Sequence, residues 1–519
     1  MLSSRLSLLT FVVIFTWTAV PTASAGIFSG TLVSISSSKL VVENTKGTSK
    51  SFRLSTSTSF KLDNKTTRPT NIKPGVRVSV FTSSRGTVTK VVARTGTSTP
   101  RTLPKPTRTK ESEPTTEPIE DASTSDVAQT GWTQFRGPNR DNRSGETGLL
   151  SAWSADGPRL LWKANGLGEG YASVSLAEET VYTMGLTGDG EMVHALDLKT
   201  GRIKWSKQTG TSYRNGQGNG PRGTPTLDGD RLYALGANGD LACLDAGSGD
   251  EHWKGNILRE FGARNISWGI SESPLVDGKQ LICTPGGRGA TMVALDKMTG
   301  TTVWKAAVPN NPRAGYASPI AVEVGSVRQY VTFTSSGVVS VRAADGRFLW
   351  ADNRAANGTA NCSSVVFYKD HIFSSSGYST GCALVELVSR RNETSTKKKY
   401  KNSDMQNHHG GLVVVDGYLY GTSRRDLMCI DMLSGKIMWS DRSVGKGSVT
   451  YADGHIYLRS ERGPMALVRA SPERYEEVAR FSPPRDRAGR STWSHPVVTQ
   501  GRLFLRDMDT LLCYDVKGP

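Results

Sequence analysis

A short string of residues recurs along the last three quarters of the chain and constrains its fold more than any other feature. The string is a small or apolar pair, then Asp, then Thr or Ser followed by Gly, with a Trp eight residues after the Asp. A string that recurs in this way indicates one structural unit repeated in space. The four full copies contain the pairs Asp197 and Trp205, Asp245 and Trp253, Asp296 and Trp304, and Asp431 and Trp439.

Weaker copies lie between and after the full ones. Val341 to Trp350 is a shortened copy, the stretches near Leu387 and Val468 are degraded copies, and Asp515 belongs to a last one. The period is about 45 residues, which gives eight copies and is typical of β-propellers with four strands per unit. The sequence therefore predicts an all-β fold with an eight-bladed propeller. Seven blades are the alternative, if one degraded copy is a loop.

The two ends of the repeat region predict how the ring closes. The Trp of the last copy would fall beyond Pro519, whereas Leu160-Leu161-Trp162-Lys163 resembles the Trp-bearing strand but has no Asp turn before it. We therefore expect this early strand to complete the last blade. Such pairing satisfies the sheet edges that would otherwise stay open.

The composition suits many short strands joined by turns. Hydrophobic residues make up 36% of the 519 residues, and there are 55 Gly and 23 Pro, which excludes a coiled coil and a multi-span membrane protein. The 6 Cys are too few for disulfides to be the main source of stability. Cys243, Cys429 and Cys513 take the small buried position before the repeat Asp, so we expect free thiols there.

The first residues have the pattern of a targeting segment. The apolar run Leu6 to Val20 follows one positive charge, and Pro21-Thr22-Ala23-Ser24-Ala25 supplies a small-residue cleavage site before Gly26. Residues 1–25 are therefore predicted to be a signal peptide, with an uncleaved anchor as the alternative. The prediction is an exported protein of the periplasm or cell envelope, or a secreted one, without a membrane span.

Charge and composition divide the remaining chain into three parts. Residues 26–98 hold 12 Lys or Arg against 2 acidic residues, and their short apolar strands predict a small basic β-barrel domain. Residues 99–130, rich in Pro, Thr and Ser, are predicted to be a linker, and residues 131–519 the propeller. The basic charge indicates an anionic partner or else a merely soluble basic domain. Because an exported protein rarely meets nucleic acid, an envelope polymer is favoured as the anionic partner.

The Asp-x-x-Thr-Gly-x-x-x-Trp string resembles that of propellers of the pyrroloquinoline-quinone (PQQ) type. These include quinoprotein alcohol dehydrogenases and the non-enzymatic outer-membrane assembly factor BamB. Trp132-Thr133-Gln134-Phe135-Arg136-Gly137-Pro138 also resembles the start of secreted bacterial PQQ-like repeat proteins. The N-terminal segment resembles a small bacterial β-barrel domain of unknown function. The resemblance to PQQ-like propellers covers residues 131–519 and implies the fold.

The repeat residues themselves are interpreted as scaffold. Asp with Thr or Ser bonds its own backbone in a tight turn, and Gly allows the positive φ that such a turn requires. We expect each repeat Trp to pack between neighbouring blades.

Candidate binding residues lie in the loops that lead into the first strand of each repeat. Such loops gather around the axis at one face of a propeller, and here they carry large aromatic, basic and imidazole side chains. These side chains predict a site for a planar or anionic ligand, which stacking and charge-assisted hydrogen bonds would hold; the alternative is that they only fill the mouth of the channel. The candidates are Tyr171, Arg222, Trp268, Glu272, Tyr316, His408, His409, Trp493 and His495.

No pattern in the sequence predicts a catalytic residue, a metal site or a cofactor. His408 and His409 are adjacent, so we expect their side chains to point to opposite faces of an extended chain and not to share a metal ion. PQQ with Ca²⁺ is implied only if the chain is a dehydrogenase, which requires a cage of carboxylate and amide oxygens and an Asp base. Glu272 is the only acid in these loops, and the adjacent Cys pair typical of quinoprotein alcohol dehydrogenases is absent.

The sequence thus predicts a BamB-like, non-catalytic propeller that binds an envelope protein or an anionic polymer and is monomeric. Two alternatives stay open: a PQQ-dependent alcohol dehydrogenase, and a glycan-binding propeller that uses the aromatic loops.

Overall fold

A computed structural model describes residues 131–391, 393–486 and 489–519, together with 26–35, 39–43, 49–54, 58–62, 65–68, 72, 76–82 and 88–94. The chain divides into two compact units, Met1–Glu120 and Asp121–Pro519. The predicted signal peptide and the predicted linker lie outside the described residues.

The first unit contains one sheet with an apolar core. Its strands are β1 (Gly26–Ile35), β2 (Lys39–Glu43), β3 (Ser49–Arg53), β4 (Ser59–Leu62), β5 (Lys65–Thr66), β6 (Arg77–Thr82) and β7 (Val88–Arg94). They pair in the order β3-β2-β1-β6-β7-β4-β5, and all pairs are antiparallel except the parallel pair of β4 and β7. Leu40, Val80 and Val91 are fully buried in the core. The closed barrel predicted for residues 26–98 stays a prediction.

The second unit is built almost entirely of short strands. Its first strands are β8 (Gly131–Trp132), β9 (Leu160–Ala164), β10 (Ser175–Ala177), β11 (Thr180–Thr187), β12 (Gly190–Asp197), β13 (Ile203–Thr211), β14 (Thr226–Asp228), β15 (Arg231–Leu235), β16 (Asp240–Asp245) and β17 (Glu251–Asn256). A four-residue helix, α1 (Ile257–Glu260), follows β17. Next come β18 (Leu275–Asp277), β19 (Gln280–Cys283), β20 (Met292–Asp296), β21 (Thr302–Ala306), β22 (Ile320–Val324), β23 (Val327–Thr334), β24 (Gly337–Arg342) and β25 (Phe348–Asp352).

The remaining strands complete the second unit. They are β26 (Val366–Tyr368), β27 (His371–Ser376), β28 (Gly381–Arg390), β29 (Glu393–Asn402), β30 (Leu412–Val415), β31 (Tyr418–Ser423), β32 (Asp426–Asp431), β33 (Ile437–Asp441), β34 (Gly447–Ala452), β35 (His455–Ser460), β36 (Met465–Arg469), β37 (Glu477–Phe481), β38 (Val497–Thr499), β39 (Arg502–Asp507) and β40 (Thr510–Asp515).

These strands form eight antiparallel sheets within the described part of residues 131–519. Sheet 1 contains β10–β13 with β8 at its inner edge, sheets 2 to 7 each contain four consecutive strands from β14–β17 to β34–β37, and sheet 8 contains β38–β40 and β9. The number of sheets equals the number of repeat copies counted in the sequence. Middle strands such as β20 are buried on both faces, whereas the outermost strand β21 alternates between buried and exposed positions. This pattern follows from sheets stacked face to face.

The sheets follow one another in a ring, and the fold is a β-propeller. Hydroxyl groups join the loops before successive first strands: the backbone N–H of Ser173 donates to Thr224 Oγ1 (3.1 Å), and the N–H of Thr224 donates to Ser273 Oγ (2.8 Å). The series continues from Ser273 to Ser318. Ser173 Oγ donates to the carbonyl of His495 at 2.7 Å, which joins sheet 1 to sheet 8.

The predicted closure of the ring by an early strand is confirmed. The early strand β9 is antiparallel to β40, and Trp162 lies opposite Cys513. The last sheet is therefore made from the two ends of the repeat region.

The predicted scaffold role of the repeat residues is also confirmed. Asp197 Oδ1 accepts from the backbone N–H and the hydroxyl of Thr200, and Gly201 has a φ of 69°. Trp162 of sheet 8 packs against Gly201 of sheet 1, where an added Cβ would lie 2.5 Å from the indole. The indole N–H donates to the carbonyl of Leu198 at 2.9 Å. The indole N–H groups of Trp205, Trp253, Trp304 and Trp439 likewise donate to a carbonyl in the turn of the next sheet. Trp350 of the shortened copy instead donates to Gln329 of its own sheet.

A segment after β8 crosses the middle of the propeller. Arg136 donates to the carbonyl of Leu412 (2.9 Å), the first residue of β30 in sheet 6. Arg140 donates to the carbonyls of Ser273 and Pro319 (2.8 Å each), which lie just before sheets 3 and 4. Both guanidinium groups are buried, and both residues have positive φ. The segment 135–142 therefore ties several sheets together at their inner edges.

Candidate functional site

The loops that lead into the first strands surround a cavity of about 380 Å³. Eight of the nine candidate residues predicted from the sequence line this cavity. The repeat register explains the result, because it places the residue before each first strand at an equivalent position around the ring. The eight are Tyr171, Arg222, Trp268, Tyr316, His408, His409, Trp493 and His495.

Five rings form a continuous row along the cavity. The centroids of Tyr171 and Trp493 are 4.6 Å apart, and those of Trp493 and His409 are 4.5 Å apart. His409 lies 3.5 Å from His408, whose ring meets that of Tyr378 at 4.9 Å. Aromatic rings at such separations attract one another and bury a large apolar area. The row gives the cavity an aromatic wall in which neighbouring rings are tilted by 31–37°, except that Tyr378 meets His408 edge to face.

A second aromatic pair and a guanidinium group also line the cavity. Trp268 and Tyr316 have centroids 5.6 Å apart. The Arg222 guanidinium lies 4.5 Å from the ring centroid of Tyr213 and donates to the carbonyl of Gly218 at 2.7 Å. Burial lowers the pKa of Arg222, although nearby tyrosines oppose that shift. These contacts hold a positive charge beside the aromatic surface.

The structure corrects one expectation about the histidine pair. His408 and His409 lie in a loop before β30 and not in an extended strand, so both rings turn into the cavity. The expectation that they point to opposite faces is wrong. Burial lowers the pKa of His408 to about 3, and it also lowers the pKa of His409 well below its usual value. The two imidazoles are neutral at physiological pH.

Hydrogen bonds fix the orientation of His408. Lys446 Nζ lies 2.8 Å from His408 Nδ1, and the hydroxyl of Tyr378 lies 3.0 Å from Nε2. An ammonium group can only donate, so Nδ1 accepts and the ring carries its proton on Nε2. Lys446 also pairs with Glu461 at 3.1 Å.

Glu272, the ninth candidate, does not line the cavity. Its side chain is buried, and its Oε1 accepts from the backbone N–H of Thr284 at 2.6 Å. Burial raises the pKa of Glu272 to about 7, and the charge of Arg140 opposes part of this rise. The structure therefore separates Glu272 from the aromatic residues with which the sequence grouped it.

The cavity does not fit the cofactor of a quinoprotein dehydrogenase. A bound Ca²⁺ requires several oxygen ligands, carboxylates above all, and the reaction requires a carboxylate base. Among the described residues that line the cavity there is neither Asp nor Glu. Its polar groups are instead imidazole, guanidinium, hydroxyl, indole N–H and thiol groups, with one amide, that of Gln217.

Sequence reasoning missed several lining residues. Phe135 and Arg136 come from the segment that crosses the propeller, and Phe135 lies 5.0 Å from the ring of His495. Cys362 and Tyr378 come from sheet 5, whose repeat copy is degraded. Of these four residues, the sequence pointed only to Cys362, which follows Asn361 and takes the loop position equivalent to that of Tyr171.

The ring of sheets, the Asp–Gly turns and the Trp contacts define a propeller of the PQQ-like class. A family model described as outer membrane protein assembly factor BamB matches residues 84–268 and 215–441. The matches together span more than half of the chain, and the chain belongs to this family.

Individual relatives described as BamB are similar to this chain, and a solved structure shares its fold. BamB of Moranella endobia is 24% identical over 299 residues, which are 54% of this chain and 74% of the relative. BamB of Shewanella oneidensis is 22% identical over 230 residues, and the chain spans about half (54%) of that relative. The quinohemoprotein alcohol dehydrogenase from Comamonas testosteroni matches with a TM-score of 0.54 and 14% identity over 76% of this chain and 82% of that one. At that identity the likeness shows the fold alone.

A search of the described helices for a membrane span found none of sufficient length and hydrophobicity.

Proposed function

We propose that this chain is an exported protein of the cell envelope whose non-catalytic propeller binds a partner protein or an anionic polymer. Membership of the BamB family supports a role in protein assembly, because that is what the family's description names. The single observation that carries the proposal is the composition of the cavity, which combines a row of contacting aromatic rings with cations and without a described carboxylate.

The chemistry of the cavity selects the group that the partner inserts. Trp493 and His409 offer an aromatic surface, and Arg222 and Arg136 supply guanidinium groups beside it. Such a surface favours an aromatic or acidic group, which stacks on the rings and accepts charge-assisted hydrogen bonds. A cavity of about 380 Å³ admits one or two side chains or one polymer unit, so the rest of the partner would lie on the surrounding loops.

Site-specific crosslinking tests the proposal in cells. A photoreactive phenylalanine replaces Gln217, an exposed residue that lines the cavity, and the matched control replaces Thr302, an exposed residue on the outermost strand of sheet 3. We expect a discrete adduct from position 217 that is absent from position 302. We also expect Trp493→Ala to abolish the adduct, because it removes the ring that links Tyr171 to His409 in the row. The same crosslinked adducts from positions 217 and 302, or none from either, would contradict the proposal.

Binding of PQQ tests the dehydrogenase alternative on the purified mature chain. A ligand at 100 times its Kd raises the free energy of unfolding by about 2.7 kcal/mol, which a melting experiment detects. We expect no such rise with PQQ and Ca²⁺ together, and no oxidation of alcohols. A clear rise accompanied by alcohol oxidation would overturn the non-catalytic proposal. Binding to a glycan array without a crosslinked partner would favour the glycan-binding alternative.

Export is tested at the N-terminus. We expect the protein recovered from the envelope fraction to begin at Gly26, since the cleavage pattern of residues 21–25 precedes it. The basic N-terminal domain is proposed to hold an anionic envelope polymer, and its binding should weaken steeply with salt.

A further inference from the structure

We propose that Cys362, His408 and His409 form a binding site for a soft transition-metal ion, with copper preferred. The site would lie in the wall of the aromatic cavity, and it goes beyond the partner binding proposed above.

The first observation is the geometry of the three side chains. One potential ligand atom from each of Cys362, His408 and His409 lies within 4.8 Å of the other two. Cys362 comes from the loop before β26, and the histidines come from the loop before β30, so two neighbouring sheets supply the ligands. Because both loops are held by the ring of sheets, the fold itself brings the three side chains together.

The second observation is the state of these ligand atoms. Within the part of the chain that the structure describes, the Nδ1 of His409 is buried and has no hydrogen-bond partner. Leaving a buried polar atom unpaired is unfavourable, so such an atom in a native structure indicates a missing partner. Cys362 is a free thiol. The site therefore contains an unused imidazole nitrogen and a sulfur that can lose its proton to a metal.

The third observation is that a cation already lies beside the site. The ammonium of Lys446 is 2.8 Å from Nδ1 of His408, and Glu461 lies 3.1 Å from the same ammonium. A metal ion can take the place of this ammonium if Lys446 turns fully toward Glu461. The Nε2–H of His408 would keep its bond to Tyr378, which is the outer-shell contact that usually orients a ligating imidazole.

The donor set selects the type of metal. Thiolate and imidazole ligands suit copper and zinc, whereas Ca²⁺ and Mg²⁺ require oxygen ligands. Two histidines and one cysteine are the donors of trigonal copper sites. One thiolate neutralises Cu⁺ completely but leaves Zn²⁺ with a positive charge. The nearby Lys446, Arg222 and Arg136 disfavour that excess charge, so we expect copper to bind more tightly than zinc.

Metal titration of the full mature chain tests the site. Cu⁺ is supplied without oxygen against a chromogenic Cu⁺ chelator, and Zn²⁺ is titrated in parallel. We expect one Cu⁺ per chain in the wild type. Changing a residue that only contacts a metal ligand typically weakens metal binding about 10–100-fold. Cys362→Ser and His409→Gln each remove a ligand, so each should weaken Cu⁺ binding by more than that.

Two matched variants control for unspecific effects. Cys382→Ser changes another free cysteine and retains a donor to Asn402, and His371→Gln changes a histidine outside the cavity. Both should bind Cu⁺ as the wild type does. Melting of each variant without metal shows whether it is folded.

The variant Lys446→Gln distinguishes whether the three residues form a metal site or a cluster with a structural role only. Removing the like charge should tighten Cu⁺ binding by about tenfold, whereas it would weaken a site that depended on Lys446 for its shape. Equal Cu⁺ affinity in Cys362→Ser and the wild type would overturn the proposal. Tighter binding of Zn²⁺ than of Cu⁺ would overturn the preference for copper.

Discussion

Glu272 and Glu191 are buried carboxyl groups whose energetics depend on their protonation. Burial raises the pKa of each to about 7. One carboxylate oxygen of each has no hydrogen-bond partner among the described residues. Both groups therefore bind a proton more tightly in the folded chain than in the unfolded one. Such a group stabilises the fold fully below its unfolded pKa, and this stabilisation is lost as the pH rises through the folded pKa.

Glu272→Gln should remove part of the pH dependence of stability. Gln mimics the protonated carboxyl, so the variant and the wild type should have the same free energy of unfolding near pH 4. Above pH 7 the free energy of unfolding of the variant should be higher, by at most about 3 kcal/mol. Denaturant unfolding at a series of pH values measures the difference. Burial lowers the pKa of His194 to about 4, so His194 changes the stability with pH in the opposite direction. Its contribution is the same in the variant and the wild type, and it cancels when one stability curve is subtracted from the other. A difference that does not change with pH would contradict the assignment.

The candidate site could be predicted from the sequence only as far as the repeat register reaches. Tyr171 and Trp493 stand at equivalent loop positions, and the structure places their rings 4.6 Å apart. Arg136 could not be predicted, because its segment precedes the repeats and crosses them. The meeting of His409 with Cys362 could not be predicted either. It depends on the path of two irregular loops, where side-chain direction does not follow strand alternation.

At the scale of elements, the turns that carry the repeat Asp and Gly join neighbouring blades. Gly300 has a φ of 71°, and a Cβ on it would lie 2.8 Å from the indole of Trp253 in the preceding sheet. The indole N–H of Trp253 donates to the carbonyl of Lys297 at 3.1 Å. The repeat therefore pairs Gly with Trp across an interface between sheets and not within one sheet.

Gly300→Ala should destabilise the propeller more than Gly278→Ala. Gly278 has a φ of 58° and open space where its Cβ would be, so Ala there costs only the left-handed backbone strain of about 1–2 kcal/mol. Gly300→Ala adds a clash with Trp253, and such overpacking costs about 1–3 kcal/mol more. Urea midpoints of the two variants measure the difference. Equal midpoints would show that Gly300 serves the turn alone.

Sheet 5 shows why an element can be recognised in the structure and not in the sequence. Tyr400 takes the place of the repeat Trp there: its hydroxyl donates to the carbonyl of Met432 at 2.7 Å, and Gly435 packs against its ring. The strands β28 and β29 are ten residues long each, which moves Tyr400 out of the usual spacing. The sequence placed only a degraded copy near Leu387. Tyr400 therefore preserves the contact with the turn of the next sheet, although the sequence no longer shows the repeat string there.

At the scale of the whole molecule, the ring is closed by strands that are far apart in the chain. Sheet 8 takes β9 from residues 160–164 and its other strands from residues 497–515. Bringing distant segments together costs loop-closure entropy, which the contacts of β9 must offset. Trp162 supplies the largest of the side chains on β9, and it is buried among Leu196, Phe504 and Cys513.

Trp162→Ala should therefore open the ring, whereas Trp304→Ala should not. The two indoles are equally buried and make equivalent bonds to the next turn, so each change should cost about 3–5 kcal/mol locally. Trp304 lies on β21, which a short turn tethers to β20. Loss of Trp162 frees β9 and exposes the edge of β40, and exposed edges pair with other chains. Hydrogen exchange followed by mass spectrometry should show fast exchange across β9 and β40 in Trp162→Ala alone, with concentration-dependent association. The same exchange pattern around both substitutions would show that long-range pairing adds no vulnerability to this propeller.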